Sequence, residues 1–120
     1  MKAVKHIGEQ FYIDHRITID GVAQPLTGYS TIKAVLIGNN GRVHYSYPAA
    51  DGYNTIARPD DYTLRYFITS EHTRQLGVGN VTIEVMAVRA MAGAPDGFLR
   101  PIFSGDIFVI KPSIIGNNNG

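Results

Sequence analysis

An all-β protein built as an antiparallel sandwich is what this chain predicts, and three observations carry the prediction. Short runs alternate between apolar and polar residues, as they must when successive side chains of a pleated strand point to opposite faces. Turn residues, above all Asp-Gly, Asn-Gly and isolated prolines, interrupt these runs at short intervals. Apolar residues at helical spacing are almost absent. Together these features predict roughly seven to nine short strands around one core.

The first clear strand is Phe11 to Ile19, with Phe11, Ile13, His15, Ile17 and Ile19 on one face and Tyr12, Asp14, Arg16 and Thr18 on the other. Asp20-Gly21 ends it with a pair suited to positive φ, and Pro25 lacks the amide that a sheet ladder needs. A strand resumes at Thr31 to Ile37, turns at Gly38-Asn39-Asn40-Gly41, and returns over Arg42 to Tyr47 as the most secure hairpin in the sequence. Tyr53 to Ala57 is a weak segment between Asp51-Gly52 and Arg58-Pro59-Asp60-Asp61. Beyond it, Tyr62 to Ile68 places Tyr62, Leu64, Tyr66 and Ile68 on one face.

Ser70 to Leu76 suits a single helical connector, with Ser70 as N-cap and Gly77 as stop. Val81 to Arg89 is a strong strand. Ala92 to Gly97 reads as a loop, and Phe98 to Phe103 with Asp106 to Ile110 as one or two closing strands, bent or bulged near Pro101 and Gly105. The expected domain covers residues 1–112, with 113–120 as a flexible tail. An immunoglobulin-like topology fits this pattern best, and other sandwich topologies remain compatible with it.

Composition narrows the functions. The 120 residues carry eleven Lys and Arg against ten Asp and Glu, and the basic residues are scattered, so a nucleic-acid partner is not expected. Such low net charge permits self-association. Without cysteine there is neither a disulfide framework nor a thiolate metal site. No apolar run reaches the length of an export signal or a membrane span, so the expectation is a chain made in the cytoplasm with no membrane partner.

Reactive constellations are missing from the pattern. His6, His15, His44 and His72 show no paired ligand spacing, and His15, on an apolar face, reads as a core or interface residue. Asp51, Asp60 and Asp61 fall in turns, where Asp bonds its own backbone, and do not match a calcium loop. Gly77-Val78-Gly79 leads into a strand and lacks the helix and lysine of a phosphate loop. No enzyme, cofactor or metal is therefore expected. Tyr45, Tyr47, Tyr53, Tyr62 and Tyr66 remain as a possible binding surface for a protein or a sugar, since a tyrosine ring offers apolar area with a polar tip.

The order of these pieces resembles the N-terminal domain of phage baseplate upper proteins. There, a strand and an Asp-Gly turn lead through Leu-Thr-Gly into the second strand, and a Gly-x-Ile-x-Val strand closes the domain. Leu26-Thr27-Gly28 and Gly105-Asp106-Ile107-Phe108-Val109 stand in those places, and the likeness spans most of residues 9–111. The chain ends soon after the domain, where those proteins continue into long partner-binding regions. The resemblance thus implies a small accessory component of a phage head, tail or baseplate, located in the virion. It implies contacts with other virion proteins or with copies of itself as a homo-oligomer. The alternative class is a carbohydrate-binding or adhesin module using the tyrosines.

Overall fold

The computed structural model describes residues 3–23, 25–91 and 94–113. They form β1 (Ala3–His6), β2 (Phe11–Arg16), β3 (Thr18–Ile19), β4 (Val22–Ala23), β5 (Thr31–Ile37), β6 (Arg42–Tyr47), β7 (Asn54–Thr55), β8 (Ala57–Asp60), β9 (Thr63–Ile68), α1 (Ser70–Leu76), β10 (Gly79–Met91) and β11 (Ala94–Lys111). A mixed sheet of order β1-β11-β10-β5-β6-β7 faces a smaller sheet of order β2-β9-β8, and β3-β4 is a separate ribbon. The all-β expectation holds. The long ladders are antiparallel, while the short edge strands β1 and β7 add in parallel beside β11 and β6.

The two layers meet through the faces that the alternation marked. Ile17, Leu64, Tyr66 and Ile68 pack with Ile32, Leu36, Tyr45, Ile83, Val85 and Phe108, all essentially inaccessible to water. Phe11 meets Phe108 edge-on at 5.4 Å between ring centroids, and Tyr45 meets Tyr66 at the same distance. Such contacts add about 0.5–1.5 kcal/mol to the area each ring buries.

Turn chemistry places the connections. Asp20 and Gly21 both have positive φ, 53° and 79°, joining Thr18–Ile19 to Val22–Ala23 as a two-residue hairpin of the primed kind. The chain then dives inward: Leu26 is fully buried, its amide donates to the Asp61 carbonyl at 2.8 Å, and Tyr29 N–H returns to the Leu26 carbonyl at 3.2 Å. A stretch rich in turn residues is thereby anchored to the core at its centre.

Helix α1 closes the end of the sandwich beside the β5–β6 hairpin. Its N-cap is Thr69 rather than Ser70: Thr69 Oγ1 accepts the His72 N–H at 3.2 Å, and His72 Nδ1 accepts the Thr69 N–H at 3.1 Å. Histidine here fills the place that Glu or Gln usually takes in a reciprocal cap, which hid the true cap in the sequence. Gly77 ends the helix with φ of 83°. The Asn40 N–H donates to the Leu76 carbonyl at 3.0 Å, satisfying a helix-end acceptor, and a Cβ on Gly38 would overlap the Leu76 backbone.

The closing segment is one strand, not two. β10 and β11 pair from Gly79↔Ile110 to Met91↔Ala94, with register shifts that leave Ile107 and Ile102 as extra residues. The bulges fall next to Gly105 and Pro101, absorbing the irregularity without ending the ladder. Residues 94–97 of the expected loop belong to β11, and 92–93 lie outside the described residues. Because β5 accompanies β10 only from Thr82 to Val88, the rest of the hairpin continues as a two-stranded ribbon, where Pro95 is tolerated as an edge residue. Of the expected C-terminal tail, 114–120 likewise lie outside the described residues.

Candidate functional site

The five tyrosines do not share one surface. Tyr45 and Tyr66 point between the sheets and are wholly buried, because the inward faces of β6 and β9 carry them there. Tyr45 Oη donates to the Phe67 carbonyl at 2.8 Å, and burial pushes its pKa up. Tyr66 Oη is buried with no hydrogen-bond partner among the described residues, and burial, then the nearby Tyr45, raises its pKa. Tyr53 is half-buried on the outer face of the large sheet, under Lys33 at 4.5 Å and edge-on to His44 at 6.0 Å. Tyr62 is exposed beside Arg16, whose guanidinium lies 5.2 Å from the ring centre.

Tyr47 belongs to a groove. The anchored segment around Leu26, the end of β6, strand β8 and the β8–β9 turn enclose an open cavity of about 490 Å³. Its walls include Leu26, Tyr29, Tyr47, Arg58, Asp60 and Asp61. Arg58 lies over the Tyr47 ring at 5.0 Å, and its Nε is buried without an acceptor among the described residues. Leaving such a donor unpaired costs about 1–3 kcal/mol.

Asp60 and Asp61 do converge on this groove, so an acid-base pair has to be weighed. Asp60 Oδ1 accepts the Tyr62 N–H at 2.8 Å. That bond, one from the Thr63 side chain and the charge of Arg16 hold the carboxyl below the ordinary range. A carboxylate stabilised in its ionised form is an acceptor and a poor general acid, whereas a hydrolytic pair needs one member raised. Asp51 lies in an exposed turn and does not line the groove.

The histidines occupy separate environments. His15 is half-buried on the inner face of β2, 4.4 Å from the Phe103 ring centre and 6.2 Å from that of Tyr66. Burial lowers its pKa to about 4, and its Nδ1 has no partner among the described residues. His6 sits 3.8 Å from Glu9, His44 is exposed, and His72 caps the helix. Among the described residues no three potential ligands gather as a metal site, and no helix is long and apolar enough to cross a membrane.

A further surface lies on the outer face of the small sheet. Tyr12 and Phe67 oppose each other across β2 and β9 and are 57% and 50% exposed. Next along the ladder, Arg65 donates from Nε and Nη2 to both Asp14 carboxylate oxygens, at 2.6 and 3.0 Å, and covers the Tyr12 ring at 4.4 Å. Strand β2 is the edge of this sheet. Its alternation already sent Tyr12, Asp14 and Arg16 outward, so this face was available in the sequence. Arg58 and Tyr29 had no local signal, since tertiary packing alone brings them to the groove.

No protein-family model, curated protein or solved structure matches the chain.

Proposed function

We propose that the protein is a non-enzymatic structural or assembly component that works through protein contacts, first of all with copies of itself. The resemblance of its turn segments to baseplate domains supports placing it in a phage particle. The observation that carries the reading is the β2 edge, with Tyr12 and Phe67 standing half-exposed beside it.

The edge is self-complementary. Asp14 and Arg16 are two residues apart on one face, so a twofold axis through His15 in an antiparallel β2 pair sets each Asp14 opposite the partner's Arg16. Covering Tyr12 and Phe67 on both copies removes roughly 300–500 Å² of surface, worth about 8–12 kcal/mol. That lies inside the roughly 4–15 kcal/mol that association costs, so the backbone bonds of the added strand pair are part of the proposal.

Sedimentation across a wide concentration range tests it. The wild-type protein is expected to associate, and the double substitution Tyr12→Lys with Phe67→Lys to give a monomer with an unchanged circular dichroism spectrum. A wild-type chain that stays monomeric throughout overturns the self-association. Absence of the chain from purified particles of the phage that encodes it overturns the virion assignment.

A further inference from the structure

We propose that the groove between the Leu26 segment and β8 binds a neutral, polyhydroxylated ring, that is, a saccharide. Its volume of about 490 Å³ lies within the roughly 300–1,000 Å³ of small-molecule clefts. Its wall is held in place before any ligand arrives. Leu26 is buried in the core, and the main-chain bonds from Leu26 to Asp61 and from Tyr29 to Leu26 fix the segment against the β8–β9 turn. Preorganisation of this kind spares the ordering entropy that binding would otherwise have to meet.

The donor and acceptor inventory selects the ligand. Arg58 lines the groove and its guanidinium can only donate. The Asp60 and Asp61 carboxylates, at the end of the strand that carries Arg58, can only accept when ionised, and Asp60 is held in that form by its own hydrogen bonds. A phosphate or carboxylate satisfying Arg58 meets two negative groups, and a cation satisfying the carboxylates meets Arg58. A hydroxyl both donates and accepts, so one ring bearing several hydroxyls satisfies the donor and the acceptors without net charge. Tyr47 and Tyr29 add apolar area for the C–H face of such a ring. Of the five tyrosines marked in the sequence, Tyr47 alone takes part.

A glycan array followed by NMR titration of the labelled protein tests the assignment, with sodium phosphate and sodium acetate as charged probes. The expected result is saturable binding of at least one neutral glycan, shifting the Arg58 Nε–H and the amides of Thr27 and Asp61. Arg58→Leu and, separately, Asp61→Asn should each weaken it by roughly tenfold or more, because each leaves buried ligand hydroxyls unpaired. The Leu26 amide resonance reports that the groove is still folded. The doubly substituted Tyr12→Lys, Phe67→Lys protein should bind equally well, so failure of self-association does not decide this test. No response on the array, a stronger response of Arg58 to phosphate or acetate than to any glycan, or glycan binding indifferent to both substitutions would each overturn the proposal.

Discussion

Lowering the pH from about 8 to about 5 is expected to weaken the fold through His15, the one histidine whose ring is wedged between the layers. Burial lowers its pKa from the ordinary 6.5 to about 4, with the aromatic rings of Phe103 on the facing sheet and Tyr66 on the neighbouring strand beside it. The unfolded chain therefore takes up the proton first. The neutral ring's contribution is intact above pH 6.5 and is lost progressively as the pH falls toward 4. The full gap corresponds to about 3.4 kcal/mol, of which about 2 is lost by pH 5. Solvent at the partly exposed ring screens the charge, so a loss of about 1–2 kcal/mol at pH 5 is the expected figure. Urea unfolding followed by circular dichroism at a series of pH values measures it. His15→Leu should flatten most of the profile and be more stable than wild type at the acid end. Any slope that remains belongs to His72, whose Nδ1 must stay unprotonated to accept the Thr69 amide and whose pKa burial also lowers. A His15 pKa at or above 6.5 by NMR, or a wild-type stability that does not change over this range, would refute the reasoning.

Two further perturbations separate packing from polar satisfaction. Tyr45→Phe removes the bond to the Phe67 carbonyl and should cost about 1 kcal/mol, whereas Tyr66→Phe removes a hydroxyl that has no partner among the described residues and should be neutral or stabilising; urea midpoints of the two variants should differ in that order. Gly38→Ala drives a Cβ into the Leu76 backbone and should destabilise by about 1–3 kcal/mol or more, read as a fall in thermal midpoint, because helix and hairpin must separate to admit it.

Much of the fold was legible because the alternation is a local property. Phe11 to Ile19 and Tyr62 to Ile68 state an inner face by alternation, and the structure buries Ile17, Leu64, Tyr66 and Ile68 accordingly while leaving Tyr62 exposed. What local reading could not supply was pairing. Ala3 to His6 carries no pattern of its own and becomes a strand because β11 offers it an edge. Ala94 to Gly97 joins β11, despite its proline and glycine, because Met91 pairs with Ala94 and Arg89 with Phe98 on either side of a register shift that takes up the residues between.

The tyrosines show the same division at the level of the site. Alternation assigns Tyr45 and Tyr66 to the face they share with Leu64 and Val43, and their burial follows from it. The same alternation puts Tyr62 with Tyr66 and Tyr47 with Tyr45, but Tyr62 lies in the turn before β9 and is exposed, and Tyr47, at the end of β6, is half-buried under Arg58. The groove is less legible still, for Leu26, Tyr47, Arg58 and Asp61 lie on four different elements and meet only once the layers close.

The cations explain why so many aromatics can stand near the surface of a weakly charged protein. Lys5, Arg16, Lys33, Arg58 and Arg65 each lie over an aromatic ring, so among the described residues five basic side chains serve as covers. Each pair is worth about 0.5–1 kcal/mol where solvent reaches it and more where it does not. The long side chains also lay their aliphatic stems on apolar surface while the charged heads stay wet. Tyr12 is covered in this way by Arg65, which Asp14 pins in place, while its cross-strand neighbour Phe67 has no such cover among the described residues. A partner meeting this face therefore encounters one shielded ring and one open ring beside a sheet edge. In the groove the balance differs, because Arg58 covers Tyr47 while its own Nε–H has no acceptor among the described residues. The outer face of the small sheet is suited to burial against another protein surface, and the groove to a ligand that brings its own hydrogen bonds.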